Sequence, residues 1–333
     1  MTPPSIIDAV ARKCNHARCG AVPWRCDTGT GQSRPEHIPV LADAIVNHLA
    51  LPPGGIVVDA TVGLGGHAAR ILSSLGNTGR LVGLDVDAEN LAVAAERLAP
   101  WAGRVELRRR NFSELRAVLD ELGIAGVNGI VADLGVSSNQ LADAGRGLSF
   151  TEDGPLDMRL DDRLTTTAAD LVNAVPEHEL ADLFYHNAQE RFSRRIARRI
   201  CQARREARIR RTGELSRIVC SAIGVDPDSR RSKIHPATRV FLALRMAVNN
   251  EAEHLESFLN QAPQCLLPGG RVAVISFQSV EDRLVKRAFR RDEAAGMYRI
   301  CTKRPITPDA AEIAANPRAR SAKLRVAQRV EEA

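Results

Sequence analysis

Aromatic residues make up only 4% of the 333-residue chain, with two Trp and two Tyr. Proteins that read single-stranded RNA on an open sheet rely on stacked rings, so a recognition-motif or OB-type binder is disfavoured. Cysteine is scarce as well, seven in all at irregular spacings: Cys14, Cys19, Cys26, Cys201, Cys220, Cys265 and Cys301. An odd, unpatterned set argues against a disulfide framework. Cys14, His16, Cys19 and Cys26 offer four zinc ligands, but their spacing fits no paired-cysteine knuckle, and no metal is expected. Also missing is any run of about 18 apolar residues; the short patch SIIDAVARKC is interrupted by Asp8. Neither a spanning helix nor a secretory signal is indicated, which makes the cytoplasm the expected location and leaves no membrane partner.

What is present is an ordinary apolar content of 44%, enough for a sizeable core, and a formal charge of +6. The excess is local. Ten arginines fall between Arg191 and Arg211, which points to a polyanionic partner. In ERFSRRIARRICQARREARIRR, Phe192, Ile196 and Ile200 recur every four residues and predict the inner face of a helix. Arg191, Arg194, Arg195, Arg198 and Arg199 then take the flanks and outer face, with only Glu190 and Glu206 to balance them. Arg194, Arg195 and Arg198 are the candidate contacts to nucleic-acid phosphates.

Residues 1–36 follow neither helical nor strand periodicity and read as a disordered extension. From His37 the chain alternates strands (GIVVDA, GRLVGLDVD, RVELRRRNF, NGIVADLG) with helical segments, the order of a doubly wound parallel sheet. Residues 141–235 break that rhythm with polar loops and helices, and read as an inserted helical domain for substrate recognition. The discontinuous sheet domain is then 37–140 plus 236–333. PATRVFLALRMAVNNEAEHLESFLNQA reads as one long amphipathic helix leading to the strand GRVAVISF, and a further helix is predicted from Ser279 to about Arg291. MYRICTKRP and AKLRVAQRV suit an antiparallel sheet edge.

The segment GIVVDATVGLGGHAARIL joins a strand to a helix through a glycine turn. Gly63-Leu64-Gly65-Gly66-His67-Ala68 satisfies the dinucleotide fingerprint, with Asp85 where a ribose hydroxyl would be taken, so a nicotinamide enzyme is one reading. The strand ends, however, are acidic: Asp59, then Asp85 and Asp87, then Asp133. A pyrophosphate would be repelled there, whereas S-adenosylmethionine brings a sulfonium, an ammonium and ribose hydroxyls that carboxylates accept. Taken singly, each Asp is as well explained by a helix cap or a turn.

Longer stretches decide between these readings. HIPVL (37–41), ADLGVSSNQLADAGRGLSFTEDGPLDMRL (132–160), HPATRVFLALRMAVN (235–249), ISFQSVEDRLVKR (275–287), RPITP (304–308) and NPRARSAKLRVA (316–327) closely resemble the RsmH/MraW family. Its members are S-adenosylmethionine-dependent 16S rRNA cytosine-N4 methyltransferases. The resemblance implies a class I (Rossmann-like) α/β methyltransferase sheet, mostly parallel, with an all-helical insert. The partner it implies is 16S rRNA in the small ribosomal subunit. No obligatory protein partner is expected, and a homodimer is left open. Carried over residue by residue, the cofactor contacts are Gly65, Gly66, His67, Asp85, Phe112, Asp133 and Gln140, with Asp133 also the candidate catalytic acceptor. Ser137 and Ser138 are possible orienting groups, while Phe150, Phe184, Tyr185 and Phe241 are candidates to stack on the base. Three motifs depart from the family: Phe277-Gln278-Ser279-Val280-Glu281-Asp282-Arg283, where His usually precedes Ser; Ala188-Gln189-Glu190-Arg191; and Ser137-Ser138-Asn139-Gln140-Leu141-Ala142. A catalytically impaired RNA-binding assembly factor, a nicotinamide oxidoreductase and a DNA amino methyltransferase are the alternatives. The last lacks its usual Pro-Pro-aromatic sequence after Asp133.

Overall fold

The computed structural model describes residues 38–226 and 235–330. The expected extension and its zinc candidates lie outside the described residues. Helix α1 (Ala42–Leu49) leads to β1 (Ile56–Asp59). Strand and helix then alternate through α2 (Gly66–Ser74), β2 (Arg80–Asp85), α3 (Ala88–Leu98), β3 (Val105–Arg109), α4 (Leu115–Glu121) and β4 (Val127–Asp133). Six helices follow: α5 (Ser138–Ala142), α6 (Ala168–Ala174), α7 (Glu177–Ala188), α8 (Ser193–Glu206), α9 (Thr212–Ile223) and α10 (Thr238–Val248). The chain ends with α11 (Glu251–Cys265), β5 (Leu266–Ser276), α12 (Ser279–Ala294), β6 (Tyr298–Ile300), α13 (Ala310–Ala315) and β7 (Lys323–Arg329).

The seven strands form one sheet in the order β3-β2-β1-β4-β5-β7-β6. Strands β1 to β5 pair in parallel, while β7 runs antiparallel between β5 and β6. This is the mostly parallel sheet that the resemblance implies, and its two C-terminal strands form the expected antiparallel edge. Because the parallel strands carry helices on both faces, they read as apolar runs. One face buries Leu115 and Leu119 of α4, Phe258 and Leu259 of α11, and Val285 and Phe289 of α12. The other buries Ile45 of α1, Ile71 and Leu72 of α2, and Leu98 of α3.

Residues Ser138–Asn249 form a second compact unit with its own core, built on Leu171, Phe184, Ile196, Leu215, Val240 and Leu244. Its far boundary differs from the expected residue 235. The apolar period runs unbroken through 236–262, but the helix stops at Asn249 and restarts after Asn250, whose φ of 48° is left-handed. Asparagine tolerates that conformation better than most residues. The stop is pinned by the Asn249 side chain: Oδ1 accepts from the Leu160 amide at 2.8 Å, and Nδ2 donates to the Met158 and Arg245 carbonyls at 2.8 Å. Helix α10 therefore belongs to the helical core through Val240, Phe241 and Leu244, and α11 belongs to the sheet. Periodicity reports a buried face without naming the core that buries it.

Candidate functional site

The glycine turn after β1 is shaped by two residues with positive φ, Gly63 at 51° and Gly65 at 78°. A Cβ on Gly65 would also come within 3.3 Å of the Ala94 Cα, a tight approach that glycine avoids. Asp85, at the end of β2, pins this turn. Its carboxylate accepts from the Gly63 amide at 3.0 Å, the Asp87 amide at 2.8 Å and Asn90 Nδ2 at 3.2 Å. Ser137 Oγ lies 3.2 Å from Asn90 Oδ1, which continues the network to the segment after β4. Asp87 has the plainer role of capping α3, accepting from the Glu89 amide at 3.0 Å.

Asp59 and Asp133 end the adjacent strands β1 and β4. Thr61 links them: its amide reaches Asp59 Oδ1 at 3.3 Å, and its hydroxyl accepts from the Asp133 amide at 2.7 Å. Asp59 Oδ2 and Asp133 Oδ1 are buried without a hydrogen-bond partner among the described residues. Burial pushes both carboxyls up to about 7 and that of Asp85 up to about 6. For Asp59, the neighbouring His67 works against that rise and the charges of Asp133 and Asp85 add to it. His67, in the first turn of α2, directs Nε2 to the Val40 carbonyl at 2.8 Å and Nδ1 toward Asp133 Oδ2 at 3.6 Å.

Phe112 follows β3 on a short helical turn capped by Asn111 and Glu114. Its ring meets Phe258 edge-on at 5.6 Å and His254 at 6.4 Å, which fixes its orientation. Of the expected cofactor contacts, Gly65, Gly66, His67, Asp85, Phe112 and Asp133 all follow strands of the sheet unit at their carboxyl ends, the edge where such sheets bind ligands. Gln140 is buried in α5 of the helical unit. Sequence reasoning missed Thr61, Asn90 and the Val40 carbonyl. Nothing in their local pattern separates them from ordinary turn and cap residues, because the partners that single them out, Asp133, Ser137 and His67, lie 27 to 72 positions away.

In the helical unit, α8 buries Ile196 and Ile200 as predicted. Phe192 does not face inward: it precedes the first turn and is 50% exposed. Arg194, Arg195 and Arg198 are exposed. Arg198 lies 3.6 Å from Glu177, whereas Arg191, Arg194 and Arg195 have no ion pair among the described residues. Further along the run the arginines are structural. Arg204 donates to the Val172 and Val175 carbonyls at the end of α6, Arg208 pairs with Asp170, and Arg211 pairs with Asp153. Phe184 and Phe241 are core residues, and Phe150 packs on Phe241 and His235. The core claims them because apolar rings gain most from complete burial, and Tyr185 alone of the four stacking candidates is exposed.

Gln278 stands before α12, where Glu281 accepts from both the Phe277 and Gln278 amides at 3.0 Å. Asp282 in turn binds Arg325 at 2.7 Å and Lys323 at 3.3 Å, tying α12 to β7. Much of the motif Phe277–Arg283 is therefore helix start and strand anchor.

Residues 34–330 match the MraW methylase family. A ribosomal RNA small subunit methyltransferase H from Syntrophobacter fumaroxidans is 47% identical over 309 residues, covering 88% of this chain and 96% of that one. The protein of the same name from Cyanothece sp. is 50% identical over 295 residues, covering 89% and 95%. The solved structure of TrmN from Thermus thermophilus aligns with 87% of this chain and 48% of its own at a TM-score of 0.42 and 15% identity, too loose a likeness to argue from. The sheet order, the glycine turn with its acidic strand ends and the span of the match agree, and the chain belongs to the MraW methylase family.

Proposed function

We propose that the protein transfers a methyl group from S-adenosylmethionine to the exocyclic N4 amine of a decoding-centre cytosine in 16S rRNA. The observation that carries this reading is the pair of buried, unpartnered carboxylate oxygens, Asp59 Oδ2 and Asp133 Oδ1, beside the glycine turn. Buried acceptors without donors are costly, and a ligand carrying positive charge and N–H donors would satisfy them. A nicotinamide pyrophosphate would not. The relatives' names support an rRNA substrate; the choice of cytosine N4 rests on the sequence resemblance.

In this reading Asp85 accepts from the ribose hydroxyls, Phe112 flanks the adenine, and Gly65, Gly66 and His67 line the methionine end. Gln140 keeps the contact that the resemblance implies as a separate proposal, tested by Gln140→Ala in the same titration as the others. Bound S-adenosylmethionine supplies a methyl carbon activated by positive sulfur, so the chain's own residues have to bind, orient and remove a proton. Asp133 sits at the end of β4 with one carboxylate oxygen uncommitted, suited to accept from the amine as positive charge builds on it. Orientation of the amine against the methyl carries much of the barrier reduction, on the order of 7–11 kcal/mol in well-aligned systems. The arginines on the outer face of α8 serve as contacts to rRNA phosphates, with Arg194 and Arg195 the freest of the three predicted.

The test is mass mapping of small-subunit rRNA from cells with and without the gene, joined to calorimetry of the purified protein with S-adenosylmethionine. Loss of one methylated cytosine, restored by the gene, is expected. Unchanged rRNA with intact cofactor binding would favour the impaired assembly factor.

A further inference from the structure

Methylating an exocyclic amine leaves one proton to be removed from nitrogen, and a group beside the site has to receive it. The imidazole of His67 is held in one tautomer. Its Nε2 faces the Val40 carbonyl oxygen at 2.8 Å. That oxygen can only accept, so Nε2 carries the hydrogen and Nδ1 of the neutral ring presents a lone pair. The lone pair faces Asp133 Oδ2 at 3.6 Å, and His67 is only 7% exposed. An ionised carboxylate and a bare ring nitrogen repel each other at that range, most of all where water is largely excluded. A proton between them turns the repulsion into attraction.

We propose, resting on the methyltransferase reading, that His67 and Asp133 share one proton in the free protein, give it up when a cationic ligand enters the acidic edge, and together receive the proton the amine sheds. The exchange balances. The nitrogen lone pair forms the new N–C bond, the electron pair of the broken S–C bond stays on sulfur, and the N–H proton passes to the Asp133 carboxylate with His67 Nδ1 behind it. His67 is thus a positioning residue that acts through Asp133, whereas Asp133 meets the amine.

The groups around the pair favour proton retention when no ligand is present. Asp59, at the end of β1, bears electrostatically on His67 and Asp133, and Asp85, at the end of β2, bears on Asp59. Glu312 of α13 accepts the Leu41 amide next to Val40 at 2.6 Å. Arg97 of α3 brings a cation to this side, its Nη1 standing 3.5 Å from where a Gly66 Cβ would be. Carboxylates outnumber it, and burial holds Asp59 and Asp133 at about 7.

The decisive variant is His67→Gln. Its amide nitrogen can still donate to the Val40 carbonyl, while the acceptor facing Asp133 is removed. In the free wild-type protein, nitrogen NMR of the eight histidines, with His67 assigned by its loss in the variant, should show Nε2 protonated and Nδ1 hydrogen-bonded. Asp133→Asn should alter the Nδ1 signal of His67, because the group that nitrogen faces has changed. Adding S-adenosylmethionine should return Nδ1 to the value of a bare nitrogen. In single turnover at saturating S-adenosylmethionine on the rRNA substrate, His67→Gln should slow methyl transfer by about 10- to 100-fold and move the acid limb of the pH profile. If Nδ1 shows no hydrogen bond in the free protein, or the variant keeps the wild-type pH profile, His67 serves only to pin Val40 and the proposal is wrong. Absence of S-adenosylmethionine binding would overturn the methyltransferase reading instead, and the free-protein NMR would still decide whether the pair shares a proton.

Discussion

Asp59 is nearly inaccessible, at 1% exposure, and one of its oxygens has no partner among the described residues. Replacing it with Asn removes the buried charge while keeping an oxygen for the Thr61 amide. Asp59→Asn is therefore expected to raise the unfolding midpoint of the free protein at pH 8 and to weaken S-adenosylmethionine binding, both readable from thermal melts with and without cofactor. Asp85 differs, because it already accepts from three donors. Asp85→Ala should cost affinity by roughly 1.5–3 kcal/mol, and it should also increase hydrogen exchange at the Gly63 amide, since the turn loses its anchor. Unchanged affinity in calorimetry would remove Asp85 from the binding site. Gln278→His should leave the methylation rate unaltered, since what holds that position is the Glu281 carboxylate on its backbone. The acids at the strand ends were legible in the sequence because alternation placed them there. Thr61, Asn90 and the Val40 carbonyl were not, since each acquires its role only when segments distant in sequence, those of Asp133, Ser137 and His67, come side by side.

Among the elements, α8 separates the uses of its arginine run. Arg204, Arg208 and Arg211 hold the helical unit together, and Arg198 has an exposed partner in Glu177, a pairing worth little in water. Replacing Arg194, Arg195 and Arg198 with Gln should weaken rRNA binding about equally for matched and mismatched sequences. The slope of log affinity against log salt should fall by roughly 0.7–0.9 for each phosphate no longer neutralised. Cofactor affinity should stay as it was; an unchanged slope would make the run only a solvated face. The outward arginines were legible from periodicity alone. Phe192 was not, because the same four-residue spacing fits a residue just before a helix, where nothing covers it. The break at Asn249-Asn250 escaped for a related reason: an apolar period persists across it although two separate cores receive the two halves.

Across the whole molecule, the raised carboxyls link stability to pH. Asp59 and Asp133 sit at about 7 and Asp85 at about 6, all above the ordinary 3.8 of the unfolded chain. Between about pH 4 and pH 7 the folded protein thus binds more protons than the unfolded one. Stability from these groups is fully present below the lower limit and lost as pH climbs through the window. Urea unfolding of the free protein should show a decline on the order of a few kcal/mol from pH 5 to pH 8. Saturating S-adenosylmethionine should largely abolish the decline if the ligand's positive charge compensates the carboxylates. A free protein that gains stability over that range would show that the three acids are not buried as described.

The interrupted sheet also sets the order of assembly. Strands β4 and β5 are neighbours, yet paired residues such as Gly129 and Arg271 are about 140 positions apart along the chain. Closing so long a loop delays that pairing, while the helices between them pack on near neighbours and can form early. During synthesis the first four strands emerge well before β5, leaving the open side of β4 without its partner until the intervening helices have been made. Pulse-labelled hydrogen exchange during refolding should accordingly protect amides of α7 and α8 before those that join β4 to β5. The edge that waits is the one ending in Asp133, so the strand carrying that acid is flanked on both sides only once β5 has arrived.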